Sequence, residues 1–314
     1  LEAERETVAL ARRHSAAVAG VAQERVFAEL KRILAAETAL AGLRFMDELG
    51  VTAAVLPELD ALRGMEQNRY HHADVHTHTI EVLEQTIALQ ADPAAVLGEE
   101  HAGAVQALLD EPLADELDRA TAMRLGALLH DAAKPTTLGH REDGSPTFFG
   151  HDREGAQLAR DVLTRLRASE KLKAHVAALV RHHLRLGFLV HELPLSQRAL
   201  YRYLTTTEPV EVDVTLLSVA DRLATRGRKA QEAIAKHVEL AREVLPAALA
   251  WRAQGSRAPL VAGDRLAKEL ALEPGPEIGR LLVEIDEARY AGEIETREEA
   301  IALASRLRGE GAAR

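Results

Sequence analysis

In the stretch LGALLHDAAKP, residues 125–135, an apolar helical face runs directly into an adjacent His130-Asp131 pair. Leu125, Leu128 and Leu129 fall on one side of a 3.6-residue repeat, so the spacing predicts a buried helix. Burying a carboxylate without a partner costs several kcal/mol. A fold that buries this helix must therefore bring a cation to Asp131. Consecutive helical residues point about 100° apart, which lets a metal lying between the two directions take a ligand from each. The plain alternative is a helix C-terminus whose His-Asp pair faces water.

The same tension recurs elsewhere. FFGHDREGA offers His151 and Asp152, ALVRHHLRL offers His182 and His183, and LLSVADRLA places Asp221 after an apolar run. Each has an ordinary reading: an N-cap for Asp152, a solvated face for one of the adjacent histidines, a surface ion pair for Asp221. Together those readings are harder to hold, because the order His, His-Asp, His, His-His, Asp is spread over helices that would have to converge. The chain contains no cysteine. Thiolate sites, cysteine nucleophiles and disulfides are thereby excluded. Imidazole and carboxylate ligands suit manganese, iron, cobalt, nickel or zinc.

The surrounding composition favours an all-α class. Hydrophobic residues make up 47% of the 314 residues but aromatic residues only 3%, and small apolar side chains pack helix against helix more readily than they build sheets. Three regions are expected. Residues 1–70 form a helical stretch in which no chemical groups gather. Residues 71–235 hold the functional domain, and twelve of the fourteen histidines fall between 71 and 191. Residues 236–314 form a helical tail. No apolar run approaches the ~18 residues that span a bilayer, and no signal peptide opens the chain, so a cytoplasmic protein without membrane partners is expected. The formal charge of −10 weighs against nucleic-acid binding by bulk charge and leaves local basic faces such as DRLATRGRK and RDVLTRLRASEKLK. The opening at Leu1, directly in a helical pattern, is expected of a piece of a longer protein.

HHADVHTH, residues 71–78, places four histidines in eight positions. His78 begins the apolar run Ile80, Leu83 and Ile87 and is expected to face the core. His76 lies roughly 200° away on the helix and is expected to be solvated. His71 and His72 precede the helix and read as an N-terminal loop or as contacts to a substrate phosphate.

These residues, in this order, resemble the HD-domain superfamily of metal-dependent phosphohydrolases. The resemblance implies a multi-helix fold with metal ligands at His78, His130, Asp131 and Asp221. His151, His182 and His183 match the positions that let some members hold a second metal, so one or two divalent ions per chain are implied. Asp131 and Lys134 are the residues implied for catalysis, and Arg153 and His183 for substrate contact. The ordinary reading of Lys134 is a charge that favours a helix C-terminus. RVFAELKRIL, GLRFMDELGVTAAVLPEL and the segment from PLVAGDRLAKEL onward are further similar to the neck, body and tail of bacterial tRNA nucleotidyltransferases and poly(A) polymerases.

One departure bears on function. That family's catalytic head needs a Gly-Ser pair followed by Asp-x-Asp, and the GSR at residues 255–257 has no Asp-x-Asp after it. The leading expectation is a phosphohydrolase acting on 2′,3′-cyclic phosphates, nucleotides or related phosphoesters, with tRNA as a further partner. The rivals are a non-catalytic RNA-binding body whose metal site is vestigial, and a hydrolase of a free signalling nucleotide. Given ATP, CTP, magnesium and a tRNA lacking its 3′ end, these 314 residues are expected to incorporate no labelled nucleotide. Incorporation would reveal a transfer site built without the paired carboxylates.

Overall fold

The computed structural model describes residues 3–67, 74–226, 230–255 and 258–312, and among them the fold is all-α, as the composition indicates. The described strands are two short antiparallel pairs, Pro112–Ala114 with Leu117–Asp118 and Gly139–His140 with Pro146–Thr147. Two compact units are present. The first comprises Leu1–Val190 and Pro209–Pro246, the second His191–Glu208 and Ala247–Arg314.

The first unit is organised around the helix Glu211–Leu223, which is buried on every side from Glu211 to Ala220. A helix apolar all round belongs inside a bundle. Val75–Ala91 packs on it and on Arg119–Leu129, and His151–Arg165 pairs with Glu170–His182, which in turn packs on Arg119–Leu129. Two glycines permit close approaches to Glu170–His182. A Cβ on Gly126 would lie 2.9 Å from Leu179 Cδ1, and one on Gly155 would lie 3.0 Å from Val180 Cγ1. Side-chain caps fix where these helices begin. Asp74 accepts from Thr77 N at 2.8 Å, Asp118 from Thr121 N at 2.7 Å and Ser169 from Leu172 N at 3.3 Å.

His76 corrects the sequence reading. It is 5% exposed rather than solvated, with Nε2 3.8 Å from Asp47 and Nδ1 3.4 Å from Arg63 Nη1. The apolar run Ile80, Leu83 and Ile87 marks one buried face, but the helix is covered on two, because Asp47 and Arg63 from the N-terminal helical region fold over the other. Ile80 and Ile87 are only half-buried, and Val75, Val82, Leu83 and Leu89 form the true core face.

The second unit closes over its own core. Leu266, Leu281, Ile285, Ala300 and Ala304 are each at most 1% exposed. They come from Gly263–Leu270, Pro276–Tyr290 and Arg297–Ala312.

A buried ion pair ties the first unit's site-bearing helices together. Arg119, at the start of Arg119–Leu129, donates through Nε to Asp213 Oδ1 at 3.0 Å, and its Nη2 pairs with Oδ2. Nη2 also reaches the Pro209 carbonyl at 3.4 Å, and His175 Nε2 lies 3.7 Å from Asp213. Asp213 is 0% exposed, so removing only its partner leaves a buried charge uncompensated. Arg119→Met is expected to lower the free energy of urea unfolding by ~3–5 kcal/mol. The double variant Arg119→Met/Asp213→Leu should recover most of that loss. Equal losses in single and double variants would show that the pair is not what holds this junction.

Candidate metal centre

Five helices of the first unit deliver six side chains to one place. His78 comes from the first turn of Val75–Ala91, Asp221 from the last turn of Glu211–Leu223, and His130 and Asp131 from the end of Arg119–Leu129. His151 is the first residue of His151–Arg165 and His183 follows the end of Glu170–His182. Two clusters of potential ligands result, with the ligating atoms of each within 4.8 Å of one another: His78, His130 and Asp221, and Asp131, His151 and His183.

Asp131 joins the clusters. Its Oδ2 lies 3.1 Å from His130 Nε2 and 3.9 Å from His78 Nε2, while Oδ1 lies 3.4 Å from His151 Nε2. His78 Nε2 is 3.0 Å from Asp221 Oδ1. The rings run in sequence from His78 through His130 and His183 to His151, with centroids 5.8, 5.2 and 5.2 Å apart. The exposed helix end considered for the His-Asp pair is therefore not what forms, since Asp131 is 2% exposed.

The hydrogen bonds decide the tautomers. Nδ1 of His130, His151 and His183 reaches the carbonyl three residues earlier, Ala127, Phe148 and Val180, at 2.8, 2.7 and 2.7 Å. A carbonyl only accepts, so each Nδ1 carries the hydrogen, and each ring in its neutral form turns an Nε2 lone pair inward. His130 Nε2 is buried with no hydrogen-bond partner, and His151 Nε2 and His183 Nε2 face each other at 3.3 Å. Lone pairs converging in a buried space call for a cation, and imidazoles held from behind by a carbonyl are the usual form of metal-ligating histidine. The donor set fits a divalent transition metal.

The electrostatics agree. Burial alone would raise the Asp131 carboxyl, but the charges of His130 and Lys134 outweigh it and hold the group well below the usual carboxylate range. Burial opposes ionisation of Asp221 too, and the His78 hydrogen bond overrides it downward. Burial, then the neighbouring His130 and His151, push His183 down to about 4, so it stays neutral and free to ligate.

The remaining sequence candidates divide. Lys134 Nζ lies 2.7 Å from Asp131 Oδ2 and 2.7 Å from Gln67 Oε1, 5.2 Å from the centre of the Phe148 ring. It belongs to the site. His182 does not join either cluster: it is half-buried, its Nδ1 lacks a partner, and burial with Arg185 and Arg181 pushes it down to about 4. Arg153 is exposed and does not line the site cavity. Asp152 is not an N-cap, a position taken by Gly150, and pairs instead with Arg181. Four of the basic residues in RDVLTRLRASEKLK already face carboxylates: Arg160 and Lys173 meet Glu170, Arg165 meets Glu58, and Arg167 meets Glu24. His71, His72, Arg228, Lys229 and Arg257 lie outside the described residues.

A cavity of about 500 Å³ opens onto the cluster. Its wall adds residues that the sequence did not single out: Arg141, Phe148, Phe149, Phe188 and Thr225, together with Arg222 from the basic stretch after Asp221. Arg141 sits on the short hairpin between Gly139 and Thr147, midway in sequence between Asp131 and His151.

Comparison with known proteins gives two family matches. Residues 1–63 match the probable RNA and SrmB-binding site of polymerase A, and residues 75–226 match the HD domain. Over 291 residues the chain is 33% identical to the CC-adding tRNA nucleotidyltransferase of Thermus thermophilus, covering 92% of this chain and 57% of that protein. Over 286 residues it is 33% identical to the A-adding tRNA nucleotidyltransferase of Deinococcus radiodurans, covering 91% and 58%. The multifunctional CCA protein of Verminephrobacter eiseniae is 29% identical over 266 residues, covering 82% and 54%. The chain thus spans a little more than half the length of these relatives.

Purified without chelator, the protein is expected to carry at least one divalent transition metal per chain by elemental analysis. Asp131→Ala should lose most of it and His182→Ala should keep it. Full metal in Asp131→Ala would show that the bridging carboxylate is not a ligand.

Proposed function

The chain belongs to the HD-domain family, here joined to an RNA-binding segment in the arrangement of the tRNA nucleotidyltransferases, and from that premise we propose that it is a metal-dependent phosphohydrolase of nucleotide phosphoesters. The observation that carries this reading is the inward convergence of three carbonyl-anchored imidazoles on a buried carboxylate beside an arginine-lined cavity. His78, His130, Asp131 and Asp221 would hold one ion, and Asp131, His151 and His183 a second. A divalent metal supplies Lewis acidity toward the phosphoryl group and toward water.

The chain's own residues supply the rest. Arg222 and Arg141 offer guanidinium forks to phosphate oxygens from the cavity wall. Lys134, fixed between Asp131, Gln67 and the Phe148 ring, keeps a positive charge at the cluster's edge against charge developing on the phosphoryl group. Hydrolysis of a 2′,3′-cyclic phosphate consumes one water, whose oxygen bonds to phosphorus while a ribose P–O bond breaks and the departing oxygen takes a proton.

We place tRNA as a second partner, supported by the RNA-binding match over residues 1–63 and by the relatives' names. Only local basic faces oppose a net charge of −10, so affinity should be weak, and because it rests on their phosphate contacts it should fall steeply with salt.

The test compares neighbouring histidines on one helix. With manganese, cobalt or nickel and a 2′,3′-cyclic nucleotide, His78→Ala should lose more than the ~10–100-fold that changes behind the ligands cost. His76→Ala, whose ring faces Asp47, should hydrolyse within a few-fold of wild type. No hydrolysis by metal-loaded wild-type protein would favour the RNA-binding body with a vestigial site. Equal losses in the two variants would show that the centre needs both faces of the helix.

A further inference from the structure

The chain has five phenylalanines, and three of them, Phe148, Phe149 and Phe188, line the one cavity that opens onto the histidine cluster. Two are left in water. Phe149 is 81% exposed, the highest among the exposed large hydrophobic residues described, and Phe188 is 55% exposed. In a chain so poor in aromatics, unsupported rings at a functional mouth waste apolar surface unless something covers them.

Their placement is fixed by structure. His151 Nδ1 donates to the Phe148 carbonyl at 2.7 Å, and Gly150 follows Phe149 at φ +81°, a left-handed conformation that a side chain would strain. The turn that aims His151 inward therefore turns Phe149 outward. Phe148 stays half-buried against Lys134. On the opposite segment, Leu186 and Leu189 bury one face of Arg185–Leu189, which leaves Phe188 on the other. A Cβ on Gly187, next to Phe188, would lie 3.9 Å from Arg222 Nη2. Arg222 thus packs close to the backbone of this short helix, and it lines the same cavity as Phe188.

We propose that Phe149 and Phe188 form a stacking platform for the base of the substrate, so that the site selects phosphoesters carrying an unpaired nucleobase over esters of the sugar alone. This rests on the hydrolase reading above for the chemistry, and it adds the part of the substrate that is recognised. The occupant follows from the lining: Arg141 and Arg222 share the cavity with the rings, and a nucleotide presents a flat π-surface within one sugar of its phosphate. Ring stacking is tolerant of base identity, so all four bases are accepted. The base must be free of a duplex, which directs the site to mononucleotides and single-stranded ends.

The experiment measures kcat/KM, by ³¹P NMR, for 2′,3′-cyclic AMP and for methyl riboside 2′,3′-cyclic phosphate, which lacks the base. Wild type should prefer the nucleotide by tenfold or more, within the range of ~5–150-fold that stacking on an aromatic ring supplies. Phe149→Ala and Phe188→Ala should each lower that preference several-fold, mainly through KM, and Phe149→Trp should restore it. A preference unchanged in both alanine variants overturns the platform while leaving the hydrolase reading intact. If wild-type protein hydrolyses neither ester, the hydrolase reading fails, and calorimetry with 3′-AMP and ribose 3-phosphate decides the platform. Tighter binding of 3′-AMP that weakens in Phe149→Ala sustains it, and equal binding of the two ligands overturns it.

Discussion

A carboxylate that is 2% exposed at the end of a leucine-rich helix is tolerated only if partners reach both of its oxygens. Asp131 meets that condition by dividing them: Oδ2 faces His130, His78 and Lys134, and Oδ1 faces His151. This demand ranks the rest of the first unit. The ends of five helices meet around it, and glycines at 126 and 155 let two pairs of those helices approach closely. The Arg119–Asp213 pair joins two of the ligand-bearing helices at 0% exposure of Asp213.

Much of the centre was legible because chemistry interrupts periodicity there. His130 and Asp131 end an apolar run, Asp221 follows one, and His78 opens one, so each stood out against a helical face that had to be buried. What remained hidden was what lies across from each face. Periodicity marks one buried stripe on Val75–Ala91, and His76 was misread because the N-terminal helices cover a second stripe. Between His182 and His183, adjacent residues about 100° apart, no local rule picks the one that turns inward. Arg153 looked suitable from its place beside His151 and Asp152, yet it projects to solvent. Phe149 and Phe188 lie two and five residues from His151 and His183 but broke no periodic pattern, and Arg141 reaches the cavity from a hairpin.

Two proteins named for adding different nucleotides match this chain at the same 33% identity over nearly all its length. The histidine cluster sits within the stretch both of them match, in residues 75–226.

His130, His151 and His183 all stand at helix ends, and each is anchored to a carbonyl three residues earlier rather than to a neighbouring side chain. Their aim is thus a property of the terminal turns. Those turns are buried, with His130 and His183 each 1% exposed. A ligand shell aimed by buried backbone is in place before any ion arrives, and losing one ring leaves the aim of the other two intact.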